Sequence, residues 1–372
     1  MGDGMSDKKS IVISGINFFE GGPLSLIKDC LLYLDQSEHA YKFNIMAFVS
    51  SCSYYQDIKL TNIRFVEFPT ARSNYAKRLY FEYYYFLKVS KELKPYLWFS
   101  LHDITPNVLT ERQVVYCHNP APFYKLTLKE FYLEPKFGFF NHLYKFVYQK
   151  NISRNTFIVV QQNWLREKFS DIFGIDKRKI IVAHPNVTTA QESNKTVNDK
   201  KVFIFPAFPR VFKNIELLGE CSRLLYKKGV LNFEIILTID GSENKYARWL
   251  KKKYGQLPSL KFIGKQSRDK IFDLYSKSDC LIFPSKLETW GLPISEFKAF
   301  NKPVWLADLP YAHETIGTYD KVLFFDPLSP SALADKIEKF INQGESLAKQ
   351  TFENTISPPM ANNWKELFEI IL

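Results

Sequence analysis

The sequence predicts an α/β protein of two doubly wound domains that face one another across a cleft. Three observations lead there. Short apolar runs alternate with helical patterns through both halves of the chain, and one polar, turn-rich interval interrupts them. The length, 372 residues, is natural for two domains and long for a single core. Strands interleaved with helices build βαβ units and a parallel sheet, and such sheets gather ligands beyond the carboxyl ends of their strands.

Residues 1–9 read as a leader ahead of the fold, and the first domain spans 10–190. Its strands fall at 10–16, 43–50, 63–68, 96–101, 113–117, 157–160 and 180–182. A loop enters a helix over 21–34, and 72–93 reads as one long helix. The run T-T-A-Q-E-S-N-K-T-V-N-D-K-K is polar and contains the linker, 191–201. The second domain, 202–355, restarts the alternation with strands at 202–205, 233–239, 260–263, 279–284, 303–306 and 322–325. Its helices are expected at 214–227, 269–276 and 331–342. Pro358-Pro359 stops a helix, and 356–372 ends the chain with apolar residues at 364, 367, 368 and 371. That stripe needs a surface to cover it. It is expected to cross back onto the first domain, with Trp364 at the interdomain junction.

Composition narrows the function. Hydrophobic content is 46%, and no apolar run approaches the ~18–20 residues of a membrane-spanning helix. Five cysteines, odd in number and without a C-x-x-C pair, argue against a disulfide framework or a zinc knuckle. A reducing cytoplasm is the expected compartment. There is no H-E-x-x-H and no pair of aspartates two apart, so no metal is expected. The net charge of +11 suits a phosphorylated substrate or anionic lipid. Zinc-finger and RNA-recognition signatures are missing, so nucleic acid is not an expected partner.

The richest stretch is Glu288-Thr289-Trp290-Gly291-Leu292-Pro293-Ile294-Ser295-Glu296, which follows the apolar run Cys280-Leu281-Ile282-Phe283-Pro284. A helix is expected over 294–300, with Pro293 at its first position, where a missing N–H costs nothing. Amides around Trp290, Gly291 and Leu292 then lie at a helix N-terminus, an anion site flanked by two carboxylates that accept sugar hydroxyls. Four further features belong to the same expected cleft. Gly21 and Gly22, before Pro23, let backbone approach a phosphate. His118 ends a strand in Y-C-H-N-P-A-P. Arg210 and Lys213, three apart, follow the first strand of domain two and suit a diphosphate leaving group. Last, Lys261-Phe262-Ile263-Gly264-Lys265 runs from strand to loop.

In this order the features resemble the retaining glycosyltransferases of the GT-B fold, two Rossmann-like domains, and in particular family 4, the group 1 glycosyltransferases of bacterial surface-polysaccharide type. The resemblance runs from Ser10 to the tail. It is most specific from Phe262 to Glu296: F-I-G, then D-L-Y-S-K-S-D-C-L-I-F-P-S, then E-T-W-G-L-P-I-S-E. It implies that Arg210 and Lys213 grip a nucleotide diphosphate, with Trp290, Gly291 and Leu292 adding amides. Glu296 would bond the ribose, Glu288 would lie by the donor sugar, and Ile263 to Lys265 would bracket the base. His118 matches the histidine at the reaction centre. The catalytic set so implied is His118, Glu288, Arg210 and Lys213. The reaction implied is metal-independent transfer with retention, by a front-face route in which the leaving phosphate helps deprotonate the acceptor. The sequence departs from the common pattern in the close spacing of Arg210 and Lys213, in Asp240-Gly241-Ser242 where a glycine-richer loop is usual, and in Asn119 after His118 in place of an acid.

Residues 123–154 hold ten aromatics, six Lys or Arg and two acids, and 72–94 is a second basic, aromatic stretch. Both suit peripheral contact with anionic membrane headgroups. A lipid-linked oligosaccharide, of the kind used for O-antigen or capsule, is therefore the expected acceptor and a nucleotide sugar the donor, at the inner face of the plasma membrane. A nucleotide-sugar epimerase or hydrolase on a similar fold is the alternative.

Overall fold

The computed structural model describes residues 8–185, 200–343 and 356–372. The chain divides into two compact units: Met1–Asn119 with Leu143–Asn186 and Ile356–Leu372, and Pro120–His142 with Val187–Thr355. The expected first domain ran unbroken from 10 to 190; Pro120–His142 instead joins the second unit. Apart from residues 8–9 and 200–201, the expected leader and linker lie outside the described residues.

The first unit holds an eight-stranded sheet. Its strands are β1 (Ser10–Gly15), β2 (Asn44–Val49), β3 (Ile63–Glu67), β4 (Leu97–Ser100), β5 (Arg112–Cys117), β6 (Phe157–Val160) and β7 (Ile180–Ala183), and the tail supplies the eighth. Every pairing is parallel. Parallel strands are covered on both faces, which explains apolar runs such as Ile11-Val12-Ile13 and Val114-Val115 that show no alternation. Strand order reverses between β1 and β4, so the loops after β1 and β4 open at a topological switch point, and β5 is the next strand beyond β4.

The second unit holds β8 (Lys201–Phe205), β9 (Phe233–Leu237), β10 (Leu260–Phe262), β11 (Cys280–Phe283), β12 (Val304–Ala307) and β13 (Val322–Phe325), in the order β10-β9-β8-β11-β12-β13. Its switch point falls between β8 and β11, whose register pairs Leu281 with Ile204. The two loops carrying the candidate phosphate and sugar ligands therefore leave neighbouring strands.

Two elements differ from the sequence pattern. The expected helix 72–93 is broken: Tyr75–Tyr80 and Phe86–Leu93 are α-helical, and Phe81–Tyr85 between them is a π-helical turn. The wide turn carries Glu82 into the interior and offers its carbonyl to the Asn107 N–H at 2.8 Å. The tail forms a short strand, β14 (Met360–Ala361), which pairs with β7, before the helix Trp364–Ile371. Leu367, Phe368 and Ile371 are buried in the core of the first unit, where Trp364 also packs, against Tyr116 and Phe368.

Candidate functional site

In the second unit the loop after β8 turns through Val211–Lys213, and Asn214 opens the helix Ile215–Lys227 from the left-handed region at φ 56°. The Asn214 side chain donates to the carbonyls of Pro284 at 3.2 Å and Pro327 at 2.9 Å. The Lys286 N–H donates to the Phe212 carbonyl at 2.7 Å, tying the loop after β11 to the loop after β8. So fixed, Lys213 Nζ lies 2.5 Å from Glu288 Oε1, with both side chains less than a fifth exposed. The two residues are 75 positions apart in sequence.

Arg210 is the more open cation. Its guanidinium meets Glu134 Oε1 at 3.0 Å while 44% of the side chain stays exposed. The helix after β11 is Leu292–Lys298, starting earlier than the expected 294, with Gly291 as its left-handed cap at φ 81° and Pro293 in its first turn. A Cβ on Gly291 would meet Ile294 Cδ1 at 3.0 Å, so both space and backbone angle favour glycine. Trp290 is buried: its indole donates to Ser295 Oγ at 2.9 Å, and its carbonyl accepts from the Thr315 hydroxyl. Glu296 accepts from Tyr275 at 3.2 Å, and Arg268 Nη2 approaches its other oxygen at 3.5 Å. Burial, then the nearby Glu296, pushes the Tyr275 phenol well up.

Ile263 and Lys265 leave the end of β10, and Ile263 is exposed. Gly264 between them sits at φ 74°, with Asp240 Oδ2 only 3.2 Å from where a Cβ would stand. The structure thus joins Arg210, Lys213, Glu288 and the Gly291 turn across one switch point. Arg268 links Glu296 to the segment following Lys265.

In the first unit His118 follows β5, and Asp103 follows β4 in the left-handed region at φ 70°. Asp103 Oδ1 accepts from the backbone N–H of His118 at 2.8 Å and of Asn119 at 3.1 Å, and from Tyr148 at 2.9 Å. Its other oxygen accepts from Tyr144 at 3.2 Å and lies 3.5 Å from His118 Nε2. The acid missing beside His118 in sequence is thus supplied from fifteen residues upstream. Sequence reasoning missed Asp103; the one signal was an acid just beyond a strand end. Gly21 and Gly22 open the helix Gly21–Gln36 with nothing within 4 Å of either Cβ position. The tight glycine of this loop is Gly15, whose Cβ would stand 2.4 Å from Ile27 Cδ1.

His102, the neighbour of Asp103 in sequence, belongs to a buried cluster of ionisable side chains with Arg78 and Glu82. Arg78 donates to the His102 carbonyl at 2.8 Å, and His102 Nε2 is 3.3 Å from Glu82 and 3.1 Å from Ser14 Oγ. Burial pushes Glu82 up to about 8, with Arg78 pulling the other way, and burial followed by Arg78 holds His102 well down. Among the described residues no group of three His, Cys, Asp or Glu side chains is arranged to hold a metal.

Residues 186–356 match the family "Glycosyl transferases group 1". The O-antigen chain mannosyltransferase RfbU of Salmonella typhimurium is 22% identical over 278 residues, covering 71% of this chain and 72% of that protein. Among solved structures, the apo form of the lipopolysaccharide outer core galactosyltransferase WaaB covers 92% of each chain at 14% identity, with a TM-score of 0.61. Anabaena Alr3699/HepE in complex with UDP-glucose covers 91% of this chain and 92% of its own at 14% identity, with a TM-score of 0.57.

Proposed function

We propose that this protein moves a sugar, with retention, from a nucleotide-diphosphate sugar to a glycan acceptor, in keeping with the match of residues 186–356 to the glycosyl transferases group 1 family and with the two-sheet fold. The observation that carries the reading is the meeting of Lys213 and Glu288 at the switch point between β8 and β11. Lys213 and Arg210 neutralise the leaving diphosphate as the glycosidic bond breaks, assisted by backbone amides at the Gly291 turn. Glu288, exchanged from Lys213 by the incoming phosphate, accepts from hydroxyls of the donor sugar. Glu296 takes the ribose, and Ile263 to Lys265 bracket the base. Fixed cations do the work a metal would do, so transfer proceeds without one. To His118, whose ring lies 3.5 Å from Asp103, we assign a role at the reaction centre, and the leaving phosphate takes the acceptor proton.

For the acceptor we propose a lipid-linked oligosaccharide of the O-antigen or capsule kind, in keeping with the RfbU likeness. No helix among the described residues is long and apolar enough to cross a membrane. The helix Pro135–Gln149 exposes Phe139, Leu143 and Phe146, each about 60%, at spacings of four and three that form one stripe. Lysines 136, 145 and 150 accompany it. Apolar side chains among lysines suit peripheral binding to anionic headgroups at a cytoplasmic leaflet.

Lys213→Ala and Glu288→Ala, assayed for sugar transfer from the donor that a nucleotide-sugar panel selects by thermal shift, test the reading. Loss of transfer in both is expected; near wild-type rates in both reject it.

A further inference from the structure

The segment Pro120–His142 begins right after Asn119, yet it packs with the second unit. Its short helix Leu128–Leu133 shows why. Thr127 and Glu130 form a capping box, so Glu130 has a local reason to be there. Glu134 stands between two helices, at the C-cap of Leu128–Leu133 and directly before Pro135, which opens the helix Pro135–Gln149, so the two helix dipoles act on its carboxylate in opposite senses. Its side chain is only 6% exposed. A carboxylate buried to this degree calls for specific partners, and they come from the donor loop. Oε1 takes Arg210 Nη1 at 3.0 Å and Oε2 takes the Val211 N–H at 2.6 Å.

The rest of the segment grips the same loop. The Phe212 ring, between the two candidate cations, packs against Tyr124 at 6.2 Å and Phe137 at 5.4 Å. Glu130 accepts from Lys286 at 3.0 Å and from Tyr124 at 2.7 Å. Burial pushes Glu130 up, but Thr127, Tyr124 and Lys286 outweigh it and hold the carboxyl below its ordinary value. Lys286 in turn holds Phe212 through its backbone.

We propose that Glu134 is a positioning residue of the donor site: it orients the Arg210 guanidinium and pins the start of the loop that carries Lys213. This rests on the reading of Arg210 as a diphosphate ligand. With one edge of the guanidinium held by Glu134, another remains for phosphate, a pre-organised arrangement in which less side-chain freedom is lost on binding. A glutamine at 134 accepts from Val211 with its oxygen but turns an N–H₂ toward Arg210, donor against donor, so Arg210 swings free.

The test is a double-mutant cycle, Glu134→Gln and Arg210→Ala singly and together, with UDP, GDP, ADP and CDP as calorimetric probes. Glu134→Gln is expected to weaken the nucleoside diphosphate that binds wild type by roughly tenfold, the loss of one oriented charged contact. The double variant is expected to bind no more weakly than Arg210→Ala, which a merely structural Glu134 would not produce. Additive losses, or a Glu134→Gln protein that binds as well as or better than wild type, overturn the positioning role alone. Wild type binding none of the four overturns the diphosphate reading and this proposal with it. If Glu134→Gln does not fold, Glu134→Asp, which withdraws the carboxylate by one methylene, carries the same cycle.

Discussion

Asp103 receives two backbone amides and two tyrosine hydroxyls and still faces His118 Nε2, so it fixes the loop and the ring together. Asp103→Asn puts an N–H₂ where Oδ2 accepts from Tyr144 and faces His118 Nε2, so the ring is free to shift. Since misplacing a reacting group by about 1 Å costs on the order of 100-fold, kcat for sugar transfer is expected to fall by about that factor. Because the proposed diphosphate ligands all belong to the second unit, the nucleoside diphosphate Kd is expected to stay unchanged in calorimetry. Glu82 gives a second residue-scale outcome. Its folded value of about 8 lies above the unfolded ~4.3, so the folded state holds an extra proton in between. The associated stability is full below about pH 4.3 and is lost as pH rises toward 8. The neutral His102 slopes the other way below its ordinary value, so the informative quantity is the difference between wild type and Glu82→Gln. Between about pH 5 and 8 the thermal midpoint of Glu82→Gln is expected to fall less than that of wild type. His118, Arg210, Lys213, Glu288 and Glu296 were legible as candidates because each lies in a typed pattern after a strand end. Asp103, Glu134 and Glu82 were not, because each is given its role by partners that only folding brings near.

Among the elements, the strands were the easiest to read, since parallel strands buried on both faces are plain apolar runs. The π-helical turn at Phe81–Tyr85 was hidden, because helical periodicity continues through it while the residue that bonds its Glu82 carbonyl, Asn107, lies well downstream. β14 has two residues and no period to detect. The final helix was visible as an amphipathic stripe, and its energetics follow from burial. Phe368 is fully buried and stacks on Tyr33 at 5.7 Å, so Phe368→Ala is expected to cost about 3–5 kcal/mol in urea unfolding. The helix Pro135–Gln149 divides its aromatics: Tyr144 and Tyr148 turn inward to Asp103, while Phe139 and Phe146 stay exposed. Serines at 139, 143 and 146 are expected to abolish flotation with anionic liposomes while far-UV circular dichroism still reports a folded protein.

For the whole molecule, a net charge of +11 makes any contact with anionic vesicles depend on ionic strength. The Debye length shrinks from about 10 Å at 0.1 M to about 3 Å at 1 M, so bound protein is expected to dissociate across that range, as read by sedimentation. The two-domain architecture was legible from length and alternation. The chain's actual partition was not: Pro120–His142 is claimed by residues some eighty positions away, through pairs such as Glu134 with Arg210. The chain passes between its units four times, and this bears on synthesis. A ribosome delivers β1 to β7 early, but the strand that completes their sheet is made only after the whole second unit. Until then the Val182 N–H has no Pro359 carbonyl to meet, and β7 is a bare edge able to pair with another chain. Nascent protein therefore carries a sticky flank throughout translation of the second unit. A chain cut short at residue 355 keeps that flank for good and is expected to collect in the insoluble fraction.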